Sequence, residues 1–548
     1  MRGAERSDEA FPDVEQAAAA GRNRQSVAAH KAGRIRCKLF IPTVCAARGK
    51  IMLYSPCGSV AFLKKDLYNN TMGHLGNTEE MQSEEEEKER KQFAKMTRTP
   101  VAKLVVMLGI PTMLNMMVSS LYNLADTYFV SGLGESATGA VNVVLSLMSI
   151  IQAIGFTFGM GGGSIISRLL GKRAQKEADE VSSSAFFAAG AAGVLIMIFG
   201  LIFLSPLMRG LGATALILPY AKEYSTYILL AAPFMCMSFV MNNLLRSQGK
   251  ALLSMIGLVT GAVINVALDP ILIFGLNMGI TGAAVATFSS QLISFFILLF
   301  MFLSKKSVTH LRFSAVSKRP TVYGEIVATG FPSFCRQILA SLCTVLLNWA
   351  AQPYESQGAI AALGVVQKVF MFAFSISLGI GQGFQPVLGY NYSARRFDRV
   401  RGAYLFTLVF STALMSVFAV VCAIAAPAIM RQFLSSEKAI EIGTLALRLQ
   451  CICMPLLPLN FMAGLTYQVV GNKALAALLS CSRQGLFYIP AVLILPQLLQ
   501  LLGIQSAQSV SDFLAFLFAI PFTVSFFKRL RRLQEQEKAK GEQPIVRE

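Results

Sequence analysis

From Val101 to Phe527 the chain is written almost entirely in apolar runs broken by short polar or basic turns. Each run reaches about 20 residues, the length a helix needs to cross the hydrocarbon core of a bilayer. There are about twelve of them, so the pattern predicts an all-α membrane protein with twelve transmembrane helices. Residues 1–96 differ in character: no apolar run at their start is long enough for a signal segment, and "SEEEEKERKQ" is a solvated charge block. They read as a polar, disordered extension, with Met72 as a candidate natural start.

The pattern also repeats. "GMGGGSIISRLLGKRAQKEADEV", beginning at Gly159, and "GIGQGFQPVLGYNYSARRFDRV", beginning at Gly379, both place glycines at alternate positions ahead of a basic loop. Gly159, Gly161 and Gly163 match Gly379, Gly381 and Gly383 at an offset of 220 residues, and Pro233 with Gly249 matches Pro455 with Gly471 at 222. The helix-opening Pro111 and Pro332 agree. Several landmarks at nearly one offset mark an internal repeat. The expected organisation is a first lobe at 97–304 (helices 1–6), a linker at 305–324, a second lobe at 325–527 (helices 7–12) and a basic tail at 528–548. Six helices is an even number, so the pseudo-symmetric lobes enter from the same side and are parallel repeats about an axis along the membrane normal. The glycines themselves are read as points of close helix contact.

Composition agrees and adds orientation. The chain has 548 residues, 54% hydrophobic and 14% charged, with a mean hydropathy of +0.55. Its net charge of +19 does not predict nucleic-acid binding, because topology explains most of it. Alternate loops carry clusters such as Arg168, Lys172, Arg173 and Lys176, or Arg395, Arg396, Arg399 and Arg401, ending in "KRLRRLQEQEK". The opposite loops hold little beyond Arg209, Lys222, Arg431 and Lys438. This is the positive-inside signature, and it places both ends of the helical region in the cytoplasm. Ten cysteines without a CxxC pair support neither a disulfide framework nor zinc, and His30, His74 and His310 all lie outside the spans.

Charges inside the spans carry the candidate chemistry. A carboxylate at the bilayer centre costs at least about 2.5 kcal/mol, so it needs a partner or a task. Asp126 and Asp269 sit clearly within spans and Asp512 near the start of the last one, whereas the second-lobe equivalents of the first two, near Leu347 and Ala491, are apolar. Counting about 1.5 Å per residue puts Asp126, Asp269 and Thr287 all roughly 8 to 9 Å below the outer ends of their helices. Asn265 precedes Asp269 by one turn and Tyr122 precedes Asp126 by one turn, each pair sharing a face. Two carboxylates with Asn, Thr and Tyr oxygens predict a cation-coupling site that either exchanges a proton or holds Na⁺. The alternative is that the acids only accept hydrogen bonds that tie helices together. In the second lobe, Arg336 and Gln337 are the candidate substrate-lining residues.

These residues also carry a resemblance. "PTMLNMMVSSLYNLADTYFVSGLGESATGAVN", "GMGGGSIISRLLGKR", "NVALDPILIFGLNMGITGAAVAT" and "SRQGLFYIPAVLILP" together resemble the multidrug and toxic compound extrusion (MATE) family, most closely its bacterial branch of MepA-type efflux proteins. The likeness runs from about Met96 to Leu533. It implies a two-lobe, twelve-helix antiporter that expels cationic and amphipathic drugs in exchange for H⁺ or Na⁺. It also implies a first-lobe cation site that falls on Asp126, Asp269, Asn265, Thr287 and Tyr122. Second-lobe acids found in some branches have no obvious counterpart here.

The expectation is therefore a multi-pass protein of the bacterial cytoplasmic membrane. It is read as a monomer that handles small amphipathic substrates, is no enzyme, and needs no cofactor beyond the coupling ion. Rival readings are a flippase for lipid-linked sugars, which calls for several cavity-lining Arg or Lys residues, and a metabolite exporter. A membrane enzyme finds no support, since no nucleophile elbow, His cluster or phosphate loop is present.

Overall fold

The computed structural model describes residues 86–304 and 306–539. In a separate unit before them it describes three short antiparallel strands, β1 (Val44–Ala47), β2 (Lys50–Tyr54) and β3 (Val60–Phe62). The expected disordered extension otherwise lies outside the described residues, as does the candidate start at Met72.

The chain from residue 86 onward is helical because lipid offers the backbone no hydrogen-bond partner, so each segment must satisfy its own N–H and C=O groups. A first helix, α1 (residues 86–98), leads into the spans of the first lobe. These are α2 (Val101–Ser131), α3 (Glu135–Gly171), α4 (Gln175–Ile202), the short α5 (Leu204–Gly210), α6 (Leu218–Ser247), α7 (Ala251–Pro270) and α8 (Gly279–Leu303). The second lobe comprises α9 (Pro320–Ala351), α10 (Ala359–Ser393), α11 (Phe397–Phe433), α12 (Glu437–Cys453), α13 (Leu457–Val470), α14 (Lys473–Cys481) and α15 (Ile489–Ala539). Among the described residues eleven stretches are long and apolar enough to span a membrane, the last running over Lys473–Ala539. That one contains two helices merged across a break at Gln500, where φ is 52°, which agrees with the expected count of about twelve.

The repeat recurs in the backbone. The basic turns put Arg173 and Arg395 at φ 60° and 57°, and Gly249 and Gly471 at 79° and 94°, each pair at the 222-residue offset. Both lobes thus use a left-handed residue at the same corners. The inter-lobe linker ends sooner than expected, since Pro320 opens α9 as a preset first helical residue. The tail helix in turn extends through to Ala539. Gln248 holds the linker to the first lobe: its Oε1 accepts from Ser307 Oγ (2.7 Å) and from the backbone N of Val308 (2.8 Å), and its Nε2 donates to Thr309 Oγ1 (2.6 Å).

Long apolar stripes, such as Leu195, Ile198, Phe199 and Ile202 on α4 or Val417, Val420, Val421 and Ile424 on α11, face outward toward lipid. The lobes meet along α2 with α10 and α3 with α9, and from the basic end to about mid-height that contact is backbone-close. A Cβ on Gly383 would lie 2.5 Å from Gly109 Cα, one on Gly330 would overlap the carbonyl of Thr157, and one on Gly161 would overlap the carbonyl of Ile326. Polar side chains cross the same seam. Buried Arg246 donates to Gln382 Oε1, Gln385 Nε2 to Ser164 Oγ (3.0 Å), and Ser120 and Ser375 share a hydrogen bond of 2.8 Å. One buried cluster includes Leu104 and Leu108 from the first lobe with Phe384 and Tyr390 from the second, so the lobes share a core at the basic end. Further along, part of the second lobe has a core of its own.

Helix α1 caps this closed end, where the expectation was a disordered extension through residue 96. Its pattern explains the difference: Gln92, Phe93, Met96 and Thr97 recur at helical spacing and are all buried, while the charged residues around them face out. Gln92 Nε2 donates to the Gln248 carbonyl (2.7 Å) and Arg173 stacks 4.5 Å over the Phe93 ring, both in the first lobe. From the second lobe, Asn391 Nδ2 donates to the Met96 carbonyl (3.1 Å) and Arg396 to the Thr97 carbonyl (2.8 Å). Phe93→Ala is expected to destabilise the protein by about 3 kcal/mol, as for other core aromatic truncations. A lower midpoint for thermal unfolding in detergent would be the readout.

Candidate functional site

Four helices of the first lobe bring polar side chains to one level near the end opposite the basic face. Asp126 comes from α2, Tyr224 from α6, Asn265 and Asp269 from α7, and Thr287 from α8. All five are buried, with 4% or less of their surface exposed. Asn265 and Asp269 occupy successive turns of one face of α7, and Tyr122 sits one turn before Asp126 on α2, close enough to interact electrostatically with both carboxylates. Pro270 directly after Asp269 cannot donate to the carbonyl of Val266. The helix then widens into a π-helical turn, Ile271–Gly275, a distortion that recurs at functional sites.

The hydrogen bonds are few and leave acceptors unmet. Tyr224 donates to Asp126 Oδ2 at 3.3 Å and shares a 3.3 Å contact with Thr287 Oγ1, which also accepts from Asn265 Nδ2 at 3.3 Å. Among the described residues Asp126 Oδ1, both Asp269 oxygens and Asn265 Oδ1 are buried without a partner. Among the described residues no Lys or Arg acts on either carboxylate. Buried acceptors are almost always satisfied in folded proteins, and an orphaned carboxylate costs more than a neutral group. Four such oxygens within one buried cluster suit what the protein itself does not supply: protons, or a cation that takes hard oxygen ligands. No group of three or more His, Cys, Asp or Glu suited to a transition metal occurs among the described residues.

The structure thus brings together all five residues read as the cation-coupling set and adds Tyr224, which the sequence reading missed. Tyr224 lies in "KEYSTYILL", where alternate polar residues at the start of an otherwise apolar helix were the available signal. Should Na⁺ be the coupling ion, Tyr224→Phe is expected to raise its half-saturating concentration about two- to tenfold, the worth of one or two hydrogen bonds. The Na⁺ dependence of export measures this, and an unchanged value would place the hydroxyl outside the ion's surroundings.

Arg336 and Gln337, adjacent in α9, go to different surroundings. Gln337 Nε2 donates to Gln152 Oε1 of α3 at 3.2 Å and so bridges the lobes. Arg336 opens into a recess of the second lobe and lies 5.2 Å over the Phe461 ring. A second guanidinium, Arg483, lines the same recess from the π-helical turn Ser482–Tyr488. The sequence reading did not single it out, although it stands within the "SRQGLFYIP" stretch. Arg483 pairs with Asp512 at 2.8 Å, and that carboxylate also accepts from Gln450 (2.8 Å) and Gln508 (2.9 Å). Lys368, an in-span cation of α10 that a flippase cavity would need turned inward, is exposed.

Comparison with known proteins places this geometry. The MatE family model matches the chain twice, over residues 111–271 and 332–494, more than half of its length. The chain belongs to the MatE family. The two MatE copies begin 221 residues apart (332 against 111), which is the offset of the sequence landmarks. Asp126, Asn265 and Asp269 fall in the first copy, and Arg336, Gln337 and Arg483 in the second. Among curated relatives, the multidrug export protein MepA of Staphylococcus haemolyticus (strain JCSC1435) is 29% identical over 424 residues, covering 76% of this chain and 92% of that protein. MepA of Staphylococcus aureus (strain N315) is 28% identical over 414 residues, covering 74% and 90%. Among solved structures, an outward-facing conformation of a multidrug resistance MATE family transporter superposes with a TM-score of 0.76 at 26% identity, over 80% of this chain and 98% of that one. A MATE structure in the straight conformation gives 0.76 at 26% identity, over 80% and 99%. This MatE chain therefore has the MATE transporter fold, with its lobes joined at the basic end.

Proposed function

We propose that the chain is a multidrug efflux antiporter of the bacterial cytoplasmic membrane, with its basic end in the cytoplasm, exporting amphipathic and cationic compounds in exchange for H⁺ or Na⁺. The observation that carries the coupling is the set of orphaned buried oxygens on Asp126, Asp269 and Asn265. An ion taken up there from outside satisfies them, and the ion drives the cycle only as far as its affinity differs between lobe arrangements. The seam that closes the basic end is the element whose opening would return the ion to the cytoplasm and admit substrate. The substrate cleft lies between the lobes, with Arg336 and Gln337 on its second-lobe side, and one chain supplies both walls, so a monomer suffices. The chemistry is transport: the relatives named multidrug export proteins support that reading, and no reaction is assigned.

Ethidium export from proteoliposomes under an imposed pH gradient, with and without Na⁺, tests this. Gradient-driven export names the ion. A folded protein that moves no cationic dye under either gradient would overturn the drug-export reading in favour of a metabolite or lipid-linked substrate.

A further inference from the structure

The two lobes differ in the charge they leave unpaired. Opposite the basic end the first holds two carboxylates on which no Lys or Arg acts among the described residues, its buried Arg246 lying instead at the seam. The second holds two guanidiniums in one recess, Arg336 and Arg483, of which Arg483 is paired with Asp512. Asp512 accepts from Arg483, Gln450 and Gln508, so its oxygens are occupied. Arg336 has no hydrogen-bond or carboxylate partner among the described residues. Its contact is the face of Phe461, and its remaining surface opens into the recess.

We propose that this recess, between α9, α10, α13 and the π-helical turn after α14, is a binding subsite for the carboxylate of an aromatic amphiphile. The inference rests on the transporter reading and deepens it by assigning the groups that hold the carboxylate of a monoanionic or zwitterionic aromatic substrate.

Position, charge and shape support it. Arg336 is sixteen residues into a helix of 32, hence roughly 24 Å along it and near mid-membrane. A guanidinium held there without a counter-ion is costly, and such a residue marks a substrate pathway by default. The enclosed part of the recess is small, about 30 Å³, so it takes a carboxylate rather than a whole ligand, and the body of the amphiphile lies in its open mouth. Its net charge of plus one, from two guanidiniums and one carboxylate, matches a monoanion. A phosphate dianion would remain undercompensated. Arg483 lies 5.0 Å over both Phe370 and Phe374, and Arg336 over Phe461, so the ring faces hold the guanidinium planes and leave N–H edges for a planar carboxylate. The same phenylalanines offer an aromatic body something to pack against. Asn460, Ser480 and Gln484 add neutral polar groups beside the two guanidiniums, which suits the polar end of the ligand.

The experiment is equilibrium binding to the purified full chain in lipid nanodiscs, with no ion gradient. The probes are dansylglycine, its methyl ester and 1-naphthyl phosphate. Dansylglycine is expected to bind about tenfold or more tightly than its ester, the worth of a charge-assisted hydrogen bond. Arg336→Gln should remove that preference and Arg336→Lys restore part of it. Equal binding of acid and ester to wild type would overturn the proposal without any variant. Preference for the naphthyl phosphate would overturn the carboxylate assignment, and an acid preference that survives Arg336→Gln would overturn the site. Because binding needs no transport, a failure here is separable from a failure of ethidium export, which would bear on the antiporter reading alone.

Discussion

Asp269→Asn is expected to reduce ion-driven ethidium export about tenfold or more while leaving the protein folded in the membrane. The substitution keeps size and shape but removes the charge that makes ion binding differ between lobe arrangements. A coupling free energy of only about 1.4 kcal/mol already corresponds to a factor of ten. Asp269 is the stronger choice over Asp126, because both of its oxygens lack partners, whereas Asp126 keeps the hydrogen bond from Tyr224. The measurement is initial export rate in proteoliposomes under fixed pH and Na⁺ gradients, normalised to protein in the bilayer. Should the variant export at the wild-type rate, Asp269 is a helix-tying acceptor and the coupling site lies elsewhere. The variant is also expected to be at least as stable as wild type, since a neutral amide in a buried, unpaired position costs less than a carboxylate.

Gly330→Leu is expected to abolish export by a different route. A Cβ at Gly330 would overlap the Thr157 carbonyl on the facing helix of the other lobe, a backbone obstacle that no rotamer change relieves. Overpacking of a few kcal/mol in the closed seam would shift the lobes toward opening at the basic end on the order of 100-fold. A cysteine placed at Ser164, which meets Gln385 within that seam, should then react with an impermeant maleimide from the basic side and stay protected in the parent protein. Gly402→Ala serves as control, because a Cβ there meets nothing within 4 Å. Protection of Ser164→Cys in the Gly330→Leu background would mean that the seam tolerates the side chain and that its tight fit is not what closes the protein.

Much of the fold was legible because the bilayer imposes a simple code. Apolar runs of spanning length, a repeated glycine pattern and alternating basic loops yield two six-helix lobes, and the left-handed corners at Arg173, Arg395, Gly249 and Gly471 follow the same offset. The cation site was legible for a related reason. Asp126 and Asp269 stand out against apolar neighbours, and counting helical rise places them level with Thr287, a one-dimensional estimate that works because the helices run nearly the full depth of the membrane. Tyr224 escaped because a tyrosine in a membrane helix is ordinary; only the packing of α6 against α8 brings its hydroxyl to Thr287 and within reach of Asp126. Arg483 escaped because nothing along the chain marks it as a partner of Arg336; the π-helical turn and the packing of the second lobe bring the two to one recess.

The glycine ladders show where sequence reading stops. Small residues at alternate positions predict that something comes close, but not what. Gly159 and Gly163 approach Asn243 and Ser247 within their own lobe, while Gly379 and Gly383 approach α2 of the other lobe, although the two sets are equivalent by repeat. Likewise the spacing of Gln92, Phe93, Met96 and Thr97 predicts an apolar face, and only the assembled lobes supply the surface it covers. The sequence by itself determined the class of the protein, its twofold plan and the level of its buried acids, because hydropathy, repeats and helical rise act along the chain. The tertiary structure decided which end is closed, which carboxylate oxygens are left without partners, and that Arg336 joins Arg483 in one recess of the second lobe. Those properties depend on which helices meet across hundreds of residues, and no local pattern encodes them.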